Sequence, residues 1–170
     1  MGLFDKLTGT RRPSGGVAPL PAHEVRAALL ALGGPEVPWL VRDGAAEDAD
    51  LVAEWRIREP AWQTFFLRTQ VSELRQIRLR LVPDKHEVRA VDRMWQVTWA
   101  GDTPRLALSA EAARGQVSVS TKSWTLGRGE DGADGPTQTF GVDTSDLKDP
   151  VRDAVLVAGW MWRGVTFGKL

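Results

Sequence analysis

The stretch Asp149-Pro-Val-Arg-Asp-Ala-Val-Leu-Val-Ala-Gly-Trp-Met-Trp162 decides how this chain is read. From Ala154 to Trp162 no side chain is charged or polar. A helix apolar on every side is either buried in a core or inserted in a bilayer. A bilayer span takes about 20 residues, and this run is shorter. The stretch therefore predicts a buried helix, with Asp149 as N-cap and Pro150 as its first residue. Gly159 falls mid-helix, where it predicts a close approach of the helix backbone to a sheet.

Upstream of this helix the apolar pattern has a period of two. Leu51–Ile57 reads as a strand ended by Glu59-Pro60, and Trp39–Arg42 as a shorter one. The clearest strand is Gln76–Val82: Ile77, Leu79 and Leu81 face one way, and Arg78 and Arg80 the other. Pro83-Asp-Lys-His86 is a turn, and Glu87–Val91 returns as the hairpin partner. Trp95, Val97 and Trp99 alternate in the next strand, and Leu106, Leu108 and Ala110 in the one after Gly101-Asp102. Val117 and Val119, then Trp124 and Leu126, continue the sheet, with a parity slip between them that suggests a bulge or a break. Residues 127–136 read as a flexible loop, and Thr137–Val142 as the last strand. Residues 61–70 fit a helix or a strand.

Nearer the start, Pro21 opens a helix with a Val25, Ala28, Leu29, Leu32 stripe, closed by Gly33-Gly34. Residues 1–19 read as a flexible N-terminal segment and linker, and 20–170 as a single domain. The fold class expected is α+β. A curled antiparallel sheet or barrel packs around the apolar C-terminal helix, with one N-terminal helix outside.

Composition bounds the function. The chain has 170 residues and is 42% hydrophobic, enough for a core without disulfide or metal staples. Its formal net charge is zero, so no overall charge draws it to nucleic acid, and none is expected as a partner. Cysteine is absent, which removes thiolate metal sites and a cysteine nucleophile. The first residues lack the apolar core of a signal peptide, so the expected compartment is the cytoplasm. Leu3, Phe4 and Leu7 offer a short apolar face, beside Lys6, Arg11 and Arg12, for peripheral membrane contact.

Few residues suggest chemistry. The two histidines, His23 and His86, belong to no ligand-spaced motif and read as surface residues. No phosphate-binding loop follows a strand, and no motif implies a cofactor or a metal. Asp43, Glu47, Asp48 and Asp50 cluster in one loop, where solvation is the simpler reading. The arginines are the better candidate. If the hairpin turns at 84–85, Arg80 lies opposite Arg89, with Arg78 on the same face. Like charges so placed are unfavourable unless screened. Glu87, Asp92 or Glu73 would screen them, or else a phosphate or carboxylate ligand held in paired hydrogen bonds. Arg78, Arg80 and Arg89 are therefore the candidate ligand-binding residues, for an anionic small molecule or lipid head group. Eight tryptophans form either a Trp-filled core or an indole-lined pocket.

Two resemblances bear on this reading. Lys85-His-Glu-Val-Arg-Ala-Val-Asp92, the Trp-rich strand and Ala158-Gly-Trp-Met-Trp-Arg-Gly-Val-Thr-Phe-Gly-Lys-Leu170 resemble small bacterial, mostly actinobacterial, proteins with no assigned activity. That likeness spans roughly residues 20–170. Strands followed by one apolar C-terminal helix also resemble, in architecture only, the tubby and LURP-one-like fold, a barrel threaded by its last helix. That resemblance implies a mostly non-catalytic class, some of whose members bind phosphoinositide head groups. Three function classes follow: a non-enzymatic binding or scaffold domain for an anionic ligand, a small apolar-ligand carrier or enzyme with a Trp-lined pocket, and an oligomeric structural protein.

Overall fold

Helix α1 (Ala22–Leu30) starts after Pro21 and buries Val25 and Leu29 completely, while Ala28 on the same stripe stays exposed. The computed structural model describes residues 9–108, 124–128, 134–138, 144–165 and 170. Leu3, Phe4, Leu7, Ala110, Val117 and Val119 lie outside the described residues. Gly33 turns the chain out of α1 at φ 73°, and a Cβ there would lie 2.6 Å from the Leu40 Cα, so only glycine fits.

Strands β1 (Trp39–Asp43) and β2 (Leu51–Trp55) pair antiparallel, with Val41 opposite Ala53. Residues 61–70 resolve as helix α2 (Pro60–Thr69), which buries Phe66 against Trp55 in an edge-on ring contact. Strand β3 (Glu73–Val82) turns through Pro83–Lys85 into β4 (Glu87–Ala100), and β5 (Thr103–Leu108) follows Gly101. β4 is one strand of 14 residues where the alternation predicts two. Its first half is buried on both faces, Val88, Ala90, Asp92 and Met94 on one and Glu87 and Val91 on the other, whereas Val97 is buried in the second.

Strand β6 (Trp124–Arg128) pairs with β7 (Asp134–Gln138) in a separate two-stranded ladder. Trp124 and Leu126 therefore do not extend the main sheet. Of the loop expected over 127–136, residues 127–128 and 134–136 are strand and 129–133 lie outside the described residues. Of the strand expected at Thr137–Val142, Thr137 and Gln138 are strand and 139–142 lie outside them. In this ladder Gly127 lies opposite Gly135 and Leu126 opposite Pro136.

The main sheet has six strands in the order β1-β2-β3-β4-β5, with β8 (Met161–Gly164) also on β4. It is open, so the sheet alternative holds and the barrel does not. Every pairing is antiparallel except β8 with β4, which runs parallel and sets Trp162 beside Val88.

Helix α3 (Thr144–Val157) packs on β2, β3 and α1. It begins five residues before Asp149, so Asp149 is not its cap and Pro150 lies inside it. The reason is Leu147, which is fully buried and continues the Val151, Val155 stripe backward by one turn. The helix also ends early. Gly159, at φ 77°, breaks it, and Trp160 and Trp162 belong to the turn and to β8. Both indoles are 1% exposed, whereas Val157 on the helix is 79% exposed. The stretch is thus a one-sided helix followed by a buried strand, and its unbroken apolarity sums two different elements. The close approach at Gly159 is real but involves a loop: a Cβ would lie 2.8 Å from Ala18 O and Pro19 Cα. Within the segment read as a linker, Arg11 exchanges backbone hydrogen bonds of 2.8 and 2.9 Å with Trp162, and just after it Leu20 O accepts from Trp160 Nε1 at 2.8 Å.

Candidate anion site on the sheet

The pleat of β3 turns Ile77 and Leu79, both fully buried, toward α3. Gln76, Arg78 and Arg80 consequently face away from the helix. The four-residue turn at Pro83–His86 fixes the β3–β4 register, and Arg80 pairs directly with Arg89, as the sequence predicts. β8 then adds what the sequence does not show: Arg163 lies beside Arg89 in the parallel ladder. Arg80, Arg89 and Arg163 form a row across three neighbouring strands, spaced by about 4.8 Å per strand.

The row has limited counter-charge. Glu87, with its side chain 1% exposed, accepts from Arg89 Nε at 2.8 Å and lies 3.6 Å from Arg163 Nη1. Arg80 Nη2 donates to the Asp48 carbonyl at 2.6 Å, and the Asp48 carboxylate, 92% exposed, is 3.5 Å away. Asp92, another candidate for screening the row, faces α3 instead, where Lys148 donates to it at 3.1 Å and Arg75 is 3.4 Å away. The side chains of Arg80, Arg89 and Arg163 remain 33%, 31% and 51% exposed.

Two residues back along β3, Arg78 belongs to a closed polar ring. Arg42 Nη2 donates to Glu47 Oε1 at 2.5 Å and Arg42 Nε to Glu54 Oε1 at 2.7 Å. Gln76 Nε2 donates to Glu54 Oε2 at 2.8 Å, Arg78 Nε to Gln76 Oε1 at 3.2 Å, and Arg78 Nη1 to the Glu47 carbonyl at 3.3 Å. The charges in this ring are unevenly shared. Hydrogen bonds that Arg42 donates to Glu47 and then Glu54 raise its pKa, and Arg42 holds the Glu47 carboxyl below its usual 4.5. Arg78 has neutral oxygens for partners, and burial, then the charge of Arg93, lower its pKa. Arg93 lies opposite Gln76 on the same face.

Beside this ring opens a cleft of about 230 Å³, lined by Leu40, Leu74, Trp55, Trp95 and Leu106 with Arg78 among its polar residues. Arg80 and Arg89 lie outside it. The indole N–H groups of Trp55 and Trp95 are buried without a hydrogen-bond partner. An unmet buried donor costs about 1–3 kcal/mol.

The acidic loop is engaged rather than simply solvated. Asp43 pairs with Arg26, Glu47 with Arg42, and Asp50 Oδ2 accepts the Leu81 N–H at 2.8 Å. His23 is exposed on α1, and His86 lies in the β3–β4 turn with its ring 5.8 Å from Trp160. Among the described residues no three His, Cys, Asp or Glu side chains could hold a metal ion, and no helix is long and apolar enough to cross a membrane.

No family model, curated protein or solved structure matches this chain. The functional reading therefore stands on the site alone.

Proposed function

We propose that the protein is a binding domain that takes an anionic group, a phosphate or a carboxylate, on its arginine row. The observation that carries this reading is the alignment of Arg80, Arg89 and Arg163 across β3, β4 and β8. Cations side by side on neighbouring strands repel. One buried Glu87 and one solvated Asp48 leave the row with positive charge to spare. An oxyanion placed over the row would accept from several guanidinium forks at once, in charge-assisted bonds stronger than neutral ones. Arg78 extends the same face with a guanidinium bonded to neutral oxygens only. The cysteine-free composition is in keeping with a cytoplasmic setting.

The test is a titration of the whole chain with inorganic phosphate, read on the arginine Nε–H signals in nitrogen-15 NMR. The Arg80, Arg89 and Arg163 signals should move together. Substituting both Arg80→Gln and Arg163→Gln should weaken binding at least tenfold, with an unchanged circular dichroism spectrum. Binding should also weaken with added salt, because the row is partly exposed. Arginine signals that stay still, or binding indifferent to the double substitution, would refute the reading. Arg89 is left intact in this design because its loss would strand the buried Glu87.

A further inference from the structure

We propose that the cleft beside Arg78 holds the apolar body of a small organic anion whose carboxylate or phosphate rests on Arg78. This rests on the reading of the sheet face as an anion site and names the class of molecule that fits it.

Three observations converge on the cleft. Apolar residues make up part of its lining: Leu40, Leu74, Leu106, Trp55 and Trp95. Its carboxylates are already engaged, since Glu47 and Glu54 bind Arg42, and Glu59 binds Arg56 at 2.9 Å. The charge left to a ligand is positive: Arg58 also lines the cleft, and Arg78 bonds only the Gln76 side-chain oxygen and the Glu47 carbonyl. The walls also hold two buried donors without acceptors, the N–H groups of Trp55 and Trp95. Trp55 is 6% exposed, so bulk water does not serve it. An oxygen entering the cleft supplies the acceptor that the walls lack.

Size narrows the class. Sites for drug-sized ligands run about 300–1,000 Å³. At about 230 Å³ this one suits a small acid. Arg78 belongs both to the cleft wall and to the face that carries Arg80, two residues on. An amphiphilic anion can thus place its head toward the arginines and its tail against the indoles. An anion with no apolar part would use the row and leave the cleft empty.

The experiment uses the full chain, with nitrogen-15 in its tryptophans and arginines, and three probes: octanoate, 1-octanol and inorganic phosphate. Octanoate should shift the Trp55 and Trp95 indole N–H signals and bind at least tenfold more tightly than 1-octanol. Arg78→Gln should erase that preference while leaving octanol binding as it was. Gln can keep a hydrogen bond to Gln76, and a melting curve checks that the fold survives. As a second variant, Trp95→Phe keeps the ring and removes the N–H, and should weaken octanoate while sparing octanol. Equal affinity for octanol and octanoate overturns the inference, as do indole signals that octanoate leaves in place. Phosphate separates the two readings. If it moves the Arg80 and Arg163 signals while octanoate leaves the indoles still, the cleft inference fails and the anion face stands. If phosphate moves no arginine, and Arg78→Gln leaves octanoate binding intact, both fail.

Discussion

Lys148 donates to Asp92 Oδ2 at 3.1 Å, so the terminal helix is tied to the middle of β4 by charge as well as by its apolar stripe. The Asp92 side chain is 6% exposed and its Oδ1 has no hydrogen-bond partner, so the carboxylate depends on the cations beside it. Lys148→Met keeps the stem and removes the donor. It should cost about 1.5–3 kcal/mol, the range for a hydrogen bond to a charged group, measured by urea unfolding. A change below about 0.5 kcal/mol would mean that the pair contributes nothing to the docking of α3.

Leu147 and Val157 lie on the same helix and should respond in opposite ways. Leu147 is fully buried; Val157 is 79% exposed. Leu147→Ala should lose about 2–5 kcal/mol, as core truncations do. Val157→Lys should stay within about 0.5 kcal/mol of the parent. Chemical denaturation of the two variants checks both the early start of α3 and its one-sided burial.

Gly159 should not accept a side chain. Its φ of 77° lies in the left-handed region, which costs other residues about 1–2 kcal/mol. An added Cβ would also press on the Ala18 and Pro19 backbone at 2.8 Å. Gly159→Ala should therefore destabilise by more than the conformational term alone. It should also speed exchange of the Leu20 amide, which donates to Ala158 O at 2.9 Å. Unchanged protection at Leu20 would argue against this contact.

Acid should loosen the Arg42 ring through Glu47. The folded carboxyl titrates below its usual 4.5 because Arg42 hydrogen-bonds the ionised form. A carboxylate with a depressed folded pKa adds stability that is present above its unfolded value. That stability is lost as pH falls through the folded value. Stability should thus decline as pH drops below about 4.5, and Arg42→Gln should shrink that decline while returning Glu47 toward its usual pKa. Carbon-13 NMR of the glutamate carboxyls follows both. A Glu47 titration that Arg42→Gln leaves in place would refute the assignment.

How much of this was legible depends on how far apart the partners lie in the chain. Arg80 opposite Arg89 could be read because both strands and the turn at Pro83–His86 are local. Arg163 could not, since parallel pairing between β4 and β8 leaves no mark in either segment. Leu147 sits between Asp146 and Lys148, so the first turns of α3 look polar until the fold buries one face. Trp160 and Trp162 were legible as buried residues but not as strand, because an apolar run carries no period to tell helix from sheet. The cleft was the least visible. Trp95 has apolar neighbours in phase and reads as core. Only the geometry shows it in the lining of a cleft, with its N–H unpaired.

The bond from Trp160 to Leu20 joins positions 140 residues apart. Closing a loop of that length costs an unfolded chain about 4 kcal/mol in entropy, beyond what any single hydrogen bond returns. That contact, and the parallel strand next to it, can form only after nearer pairings have shortened the effective loop. Since β8 delivers Arg163, the arginine row exists only in chains that have completed this late closure. A partly folded chain would carry the β3–β4 hairpin and its two facing arginines without the third. If the row takes an anion as proposed, anion affinity would report the completion of folding, as a sensor of the native state rather than of the hairpin.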